Sequence, residues 1–220
     1  MTVRPGIMPF LLLAVAGCAD TPVRDIRVST GLRANPVRSV YVFEPGFAGK
    51  VKRAWPDDLP EMLPASRAES ASRIMSALKE AIGASLTVDS SYSPDEKARG
   101  WARDIAEELA KGRVPLNVKP LDLPVESALI VGVVAYGRQN VQISLQLLWF
   151  KRKGLGKPKW NHTCDLVGLL VNPREGSVLL DARYETSFST PEGDPQLVEK
   201  ACRESSRAIA AAFPGPGPGR

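Results

Sequence analysis

Ala128-Leu129-Ile130-Val131-Gly132-Val133-Val134-Ala135 is the stretch on which the fold turns. It has no polar side chain and is rich in β-branched residues. That pattern reads as a strand covered on both faces, because a strand with one wet face alternates apolar and polar positions. Val141 to Phe150 begins with that alternation: Val141, Ile143, Leu145 and Leu147 fall on one side, and Gln142, Ser144 and Gln146 on the other. Further on, Thr163 to Val171 and Ser177 to Ser187 flank Asn172-Pro173-Arg174-Glu175-Gly176, a hairpin turn by composition. Four strand candidates thus follow one another as a meander.

Upstream of the meander, a Pro-interrupted connector runs from Val114 to Val125. Before it, Ser93-Pro94-Asp95-Glu96 reads as a capping box, with the Ser93 hydroxyl at N-cap, proline at N1 and glutamate at N3. Ala98, Trp101, Ala102, Ile105 and Leu109 make the apolar stripe of the helix after it, and Gly112 closes that helix. A second helical stripe runs from Ala65 to Ile82 through Ala71, Ile74, Met75 and Leu78. Leu86-Thr87-Val88 is a short strand candidate. Ser39 to Phe43 is a β-branched and aromatic strand that Pro45 and Gly46 end. Downstream, Asp194-Pro195 opens a last helix that should bury Val198, Cys202, Ser205, Ile209 and Phe213. The expected class is α/β: a two-layer domain, with a mixed sheet of about five strands and three helices on one face.

The ends read differently. Residues 19 to 36 are polar and irregular, with Pro22 and Asn35-Pro36, and suggest a tether. Residues 214–220 are a Pro-Gly run that cannot pack and is expected to be mobile. The globular domain is therefore placed at 37–213. At the start, Arg4 supplies a positive charge and Ile7 to Ala16 an apolar segment. That segment is well short of the ~20 residues of a spanning helix, so it reads as the core of a secretory signal at 1–17. Its close, Val15-Ala16-Gly17-Cys18, resembles the bacterial lipobox. The resemblance implies diacylglyceryl transfer to the Cys18 sulfur, cleavage before it and acylation (palmitate or a similar chain) of the new amino group. Ala19, rather than Asp, follows the cysteine, which by resemblance to the enterobacterial sorting rule implies the periplasmic face of the outer membrane.

Composition narrows the function classes. A hydrophobic fraction of 44% suits a globular body, neither disordered nor multi-spanning. The 29 Lys and Arg exceed the 24 Asp and Glu by too little to argue nucleic-acid binding. Setting Cys18 aside leaves Cys164 and Cys202, which an oxidising compartment would pair; two separately buried thiols are the alternative. His162 is the one histidine and reads as exposed near a loop, a Cys164–His162 catalytic pair being the other reading. One histidine and two distant cysteines fall short of a zinc site, so no metal or cofactor is expected. Gly154-Leu155-Gly156-Lys157 lacks the spacing of a phosphate loop. Nothing here points to an enzyme. Lys151, Arg152, Lys153, Lys157 and Lys159, with Trp160, form a basic loop between two strands. It reads either as a solvated hairpin end or as a patch for anionic head groups or an acidic glycan.

Cys164-Asp165-Leu166-Val167 through Val171, the turn Asn172 to Gly176, and Ser177-Val178-Leu179-Leu180-Asp181-Ala182-Arg183-Tyr184 follow a layout that resembles periplasmic lipoproteins with a domain like the TolB amino-terminal domain. That group includes the curli-secretion-channel lipoprotein, the penicillin-binding-protein activators and exopolysaccharide-export lipoproteins. The resemblance implies a non-enzymatic scaffold or accessory lipoprotein of a cell-envelope or secretion system, with an envelope protein or a second copy as partner. The first helix and Trp55-Pro56 also resemble the auxiliary lipoproteins of envelope lipid or glycan transport, which implies cargo binding as an alternative.

Overall fold

The computed structural model describes residues 24–29, 32, 37–47, 64–141, 159–190 and 196–213. Strands β1 (Arg24–Val28), β2 (Ser39–Val42), β3 (Gly46–Phe47), β4 (Thr87–Val88), β5 (Ala128–Val141), β6 (Lys159–Asn172) and β7 (Ser177–Thr190) form one sheet. Helices α1 (Pro64–Gly83), α2 (Glu96–Ala110) and α3 (Gln196–Ala210) pack on it. The order is β1-β7-β6-β5-β2-β4, and β3 pairs with β5 where β2 has ended. β1, β7, β6 and β5 are antiparallel neighbours, while β2 and β3 lie parallel to β5 and β4 parallel to β2. The α/β class and the mixed sheet are as the sequence predicts, with seven strands rather than about five among the described residues.

The helices, however, lie on both faces. Leu129, Val131 and Val133 of β5, with Val40, Val42, Leu166 and Leu170, pack under Ile74, Leu78 and Ile82 of α1 and Val198 and Ile209 of α3. Ala128 and Ile130, with Phe43, Val167 and Leu169, pack under Ala98, Ala102, Ala106 and Leu109 of α2. This corrects the two-layer expectation to three layers. The cause is the apolar run itself: successive side chains of β5 point to opposite faces, and both sets must leave water. Gly132 marks the closest approach on the α2 face. A Cβ there would sit on the Ala110 amide nitrogen and 2.6 Å from the Leu109 carbonyl carbon and Cβ.

Two further readings are corrected. Arg24–Val28, placed in the tether, is an edge strand paired with Val28 opposite Leu180 and Arg24 opposite Tyr184. Asp25 and Arg27 alternate with Ile26 and Val28, as an edge strand with one packed side requires. The cap of α2 is Asp95 rather than Ser93: the Asp95 carboxylate accepts the Ala98 amide at 2.7 Å. This is the ordinary reach of an N-cap side chain to N3, with Ser93 and Pro94 left outside the helix. The first strand does end before Pro45 and Gly46, and Gly46 then pairs with Gly132 in β3, with Ala106 packed against its bare Cα. Val141 closes β5, so the strand expected over 141–150 otherwise lies outside the described residues, as do Asp194 and Pro195.

The hairpin turn is as predicted. Gly176 takes φ 70°, a left-handed conformation suited to glycine, and its amide donates to the Asn172 carbonyl at 2.9 Å. Asn172 Oδ1 accepts the Arg174 amide at 3.1 Å. Midway along the β5–β6 ladder the register shifts between Val133, opposite Leu166, and Ala135, opposite Asp165. The extra residue, a bulge at Val134, reverses the facing of the rest of β5, so Tyr136 joins the α1 and α3 side opposite Cys164.

Candidate functional site

Cys18, Lys151, Arg152, Lys153 and Lys157 lie outside the described residues. Lys159 opens β6 opposite Val141, and Trp160, half-buried, lies between Asn140 and Thr190 in the ladder. Val141 and Lys159 pair at the end of the sheet opposite the Asn172–Gly176 turn, and the other basic residues lie between them in the sequence. β1 runs antiparallel to β7, from Arg24 opposite Tyr184, midway along β7, toward Val28 opposite Leu180 on the side of the turn.

His162 is fully buried, which corrects its reading as exposed: β6 continues back past it to Lys159, and its Nε2 is 3.1 Å from Thr190 Oγ1. Cys164 and Cys202, both buried free thiols, meet where α3 crosses β6. Burial pushes the Cys164 thiol well up, and a hydrogen bond to Cys202 adds to this. A thiol held protonated is a poor nucleophile, so a Cys–His hydrolase site finds no support in this geometry. Around the pair, Ser205 donates to the Cys164 carbonyl at 2.6 Å and shares a 2.9 Å hydrogen bond with Thr186. No group of three or more His, Cys, Asp or Glu able to hold a metal occurs among the described residues.

Asp165 carries no local signal in the sequence. Its carboxyl is pushed up to about 6, first by burial and then by Glu185 directly across the ladder, while the Thr186 amide and Arg183 oppose the shift. A carboxylic acid whose folded pKa is raised binds more protons folded than unfolded between pH ~4 and 6. Stability should therefore fall as pH rises through that window, and the whole penalty is present above it. Asp165→Asn keeps an acceptor for the Thr186 amide, 3.1 Å away, and removes the charge. The expected result is a gain of about 1 kcal/mol at pH 7.5, with partial solvation allowed for, and none at pH 4. Urea unfolding at the two pH values checks this; an equal effect at both would contradict it.

Also unforeseen is a crevice of 580 Å³ beyond the carboxyl end of β2, floored by Val42 to Phe47 and walled by Met75 of α1 and Ala102 of α2. Arg67, Lys79, Arg99 and Arg103 reach it, as do Glu44, Glu96 and Glu107. Arg99 is paired to Glu96 at 3.4 Å. β2 and β4 are parallel neighbours whose following helices go to opposite faces, which is where open α/β sheets commonly leave a ligand-sized gap. The β-α-β-α order was the available signal, hidden while all three helices were placed on one face.

No protein-family model matches the chain, and no curated protein matches it. Among solved structures, similarity extends to the PelC dodecamer from Paraburkholderia phytofirmans, at 11% identity and a TM-score of 0.41 over 88% of this chain and 97% of that one. Protein XCC0632 from Xanthomonas campestris, carrying the family designation DUF330, overlaps at 11% identity and a TM-score of 0.43, over 80% of this chain and 83% of its own. Lipoprotein GNA1162 from Neisseria meningitidis does so at 17% identity and a TM-score of 0.38, over 80% and 99%.

Proposed function

We propose that this protein is a lipid-anchored envelope lipoprotein, held through Cys18 at the periplasmic face of the outer membrane. There it serves as a non-enzymatic scaffold or accessory component of an envelope or secretion system. The lipobox-like Val15-Ala16-Gly17-Cys18 carries the reading. The direction of β1 supports it. About six residues separate Cys18 from Arg24, a reach of at most ~20 Å. An anchor there keeps the lipid surface near the end of the sheet where β5 and β6 are joined. The connection's cations, Lys151, Arg152, Lys153, Lys157 and Lys159, would face anionic head groups or an acidic glycan across that gap, with Trp160 beside them. Partners at the opposite end, an envelope protein or a second copy, would then be reached by the Asn172–Gly176 turn and the 111–126 connector, where Leu116 is 87% exposed.

The charge component is tested on the domain without its lipid. Binding to vesicles containing anionic lipid should fall steeply with salt, and should drop at least tenfold in the Lys151, Arg152 and Lys153 triple alanine variant, the contribution of about 1 kcal/mol per cation being reduced by screening. Binding indifferent to both would contradict it. The crevice between α1 and α2 favours a second reading, an auxiliary lipoprotein that carries lipid or glycan cargo. Lipid or glycan found by mass spectrometry in the detergent-free purified domain would distinguish it.

A further inference from the structure

We propose that Cys164 and Cys202 are joined in the exported protein by a disulfide made before α3 docks on the sheet, and that the docked helix then seals the bond from solvent. The export belongs to the reading above, on which this rests. The pairing itself follows from packing. Ser205, one turn along α3 from Cys202, donates its hydroxyl to the carbonyl of Cys164 itself at 2.6 Å. The same hydroxyl meets Thr186, the residue opposite Cys164 in β7. One turn further, Ile209 rests over Gly168, so the helix follows β6 with Cys202 beside Cys164. A bridge needs Cα atoms within roughly 7 Å, and here the two thiols already stand within hydrogen-bonding reach of each other.

The order of events follows from burial. Cys164 is 0% and Cys202 3% exposed. The crevice beside Cys202, edged by Arg73, Tyr136 and Arg203, holds only 130 Å³, too little for another protein's active-site disulfide. In the undocked chain both thiols are open to an external disulfide of the thiol–disulfide oxidoreductase class. One cysteine thiolate attacks that disulfide, forming a mixed disulfide and releasing one oxidant thiolate. The second cysteine then attacks the first sulfur and displaces the other. Two thiols of this chain lose two electrons and two protons, and one external disulfide becomes two thiols. The bond closes a loop of about 38 residues holding β7 and α3 to the sheet.

Protein taken from the membrane fraction is acid-quenched, unfolded in urea with an alkylating reagent and no reductant, and digested. The expected result is one linked peptide pair containing Cys164 and Cys202, with neither residue alkylated. Reduction should lower Tm by about 10 °C, and the Cys164→Ser, Cys202→Ser double variant should melt with the reduced form. Alkyl groups on both cysteines of membrane-anchored protein would overturn the bridge while leaving the anchor intact. If the chain is instead found unexported with free thiols, the reading above fails, and the pairing is judged by refolding the reduced protein with a disulfide oxidant. A native-like product linked at these two positions upholds the geometry, and absence of the link refutes it. For the order of events, the reduced, folded protein should oxidise at least about 100-fold more slowly than the same protein in urea. Equal rates would overturn it.

Discussion

Gly132→Ala should destabilise the domain by about 3 kcal/mol, the upper end of the range for overpacking a core. The backbone at Gly132 is ordinary strand, so the effect is one of space. The added methyl would meet the Ala110 amide nitrogen and the Leu109 carbonyl carbon and Cβ, which belong to the last turn of α2 and cannot swing away as a side-chain tip would. Relief means lifting that turn from β5, and so loosening the contacts of Leu109, Ile130 and Val167 beneath it. Gly100→Ala is the control. Gly100 also lies in α2, but its added methyl would meet only the Arg103 guanidinium, at 3.9 Å. Replacing a helical glycine there should raise stability by up to about 1 kcal/mol. Urea midpoints of the two variants check the pair. A Gly132→Ala protein as stable as Gly100→Ala would mean that α2 does not press on β5 as described.

Cys18→Ala has the larger consequence for the cell: lipid-mediated membrane attachment should be lost. Each buried methylene of an acyl chain adds about 0.8 kcal/mol to membrane affinity, and two or three chains hold where one is marginal. No helix among the described residues is long and apolar enough to cross a membrane, so no described helix can replace the lipid. The variant should therefore collect as unprocessed precursor or as protein released from the membrane. Fractionation with detergent-phase partitioning measures this. A variant that partitions like the parent would remove Cys18 from the account.

The sheet was legible where one cause acts locally. Ala128 to Ala135 announced a strand with two dry faces because nothing polar interrupts it, and Asn172 to Gly176 announced its turn through Gly176. The buried face of α3 was legible too, since Val198, Cys202, Ser205 and Ile209 recur at helical spacing and all prove buried. What failed depends on distant residues. Arg24–Val28 looks like a polar linker until β7 supplies its partner. Asp95 caps α2 where Ser93 has the better local pattern, because the helix starts two residues later than Pro94 suggests. The two-faced run at Ala128 already implied cover on both sides, and assigning every helix to one face contradicted it. The interior position of His162 depends likewise on distant residues, through the length of β6 and the partner strand β7. The crevice between α1 and α2 exists only once those helices part to opposite faces.

The central claim is that the working form of this protein begins at a lipidated Cys18. Intact-mass and N-terminal peptide mass spectrometry on protein extracted from membranes tests it most directly. The expected chain starts at Cys18 and is heavier than its sequence by a diacylglyceryl group on sulfur and an acyl chain on the new amino group. A membrane-extracted chain that keeps residues preceding Cys18, or that carries Cys18 without added mass, would contradict it.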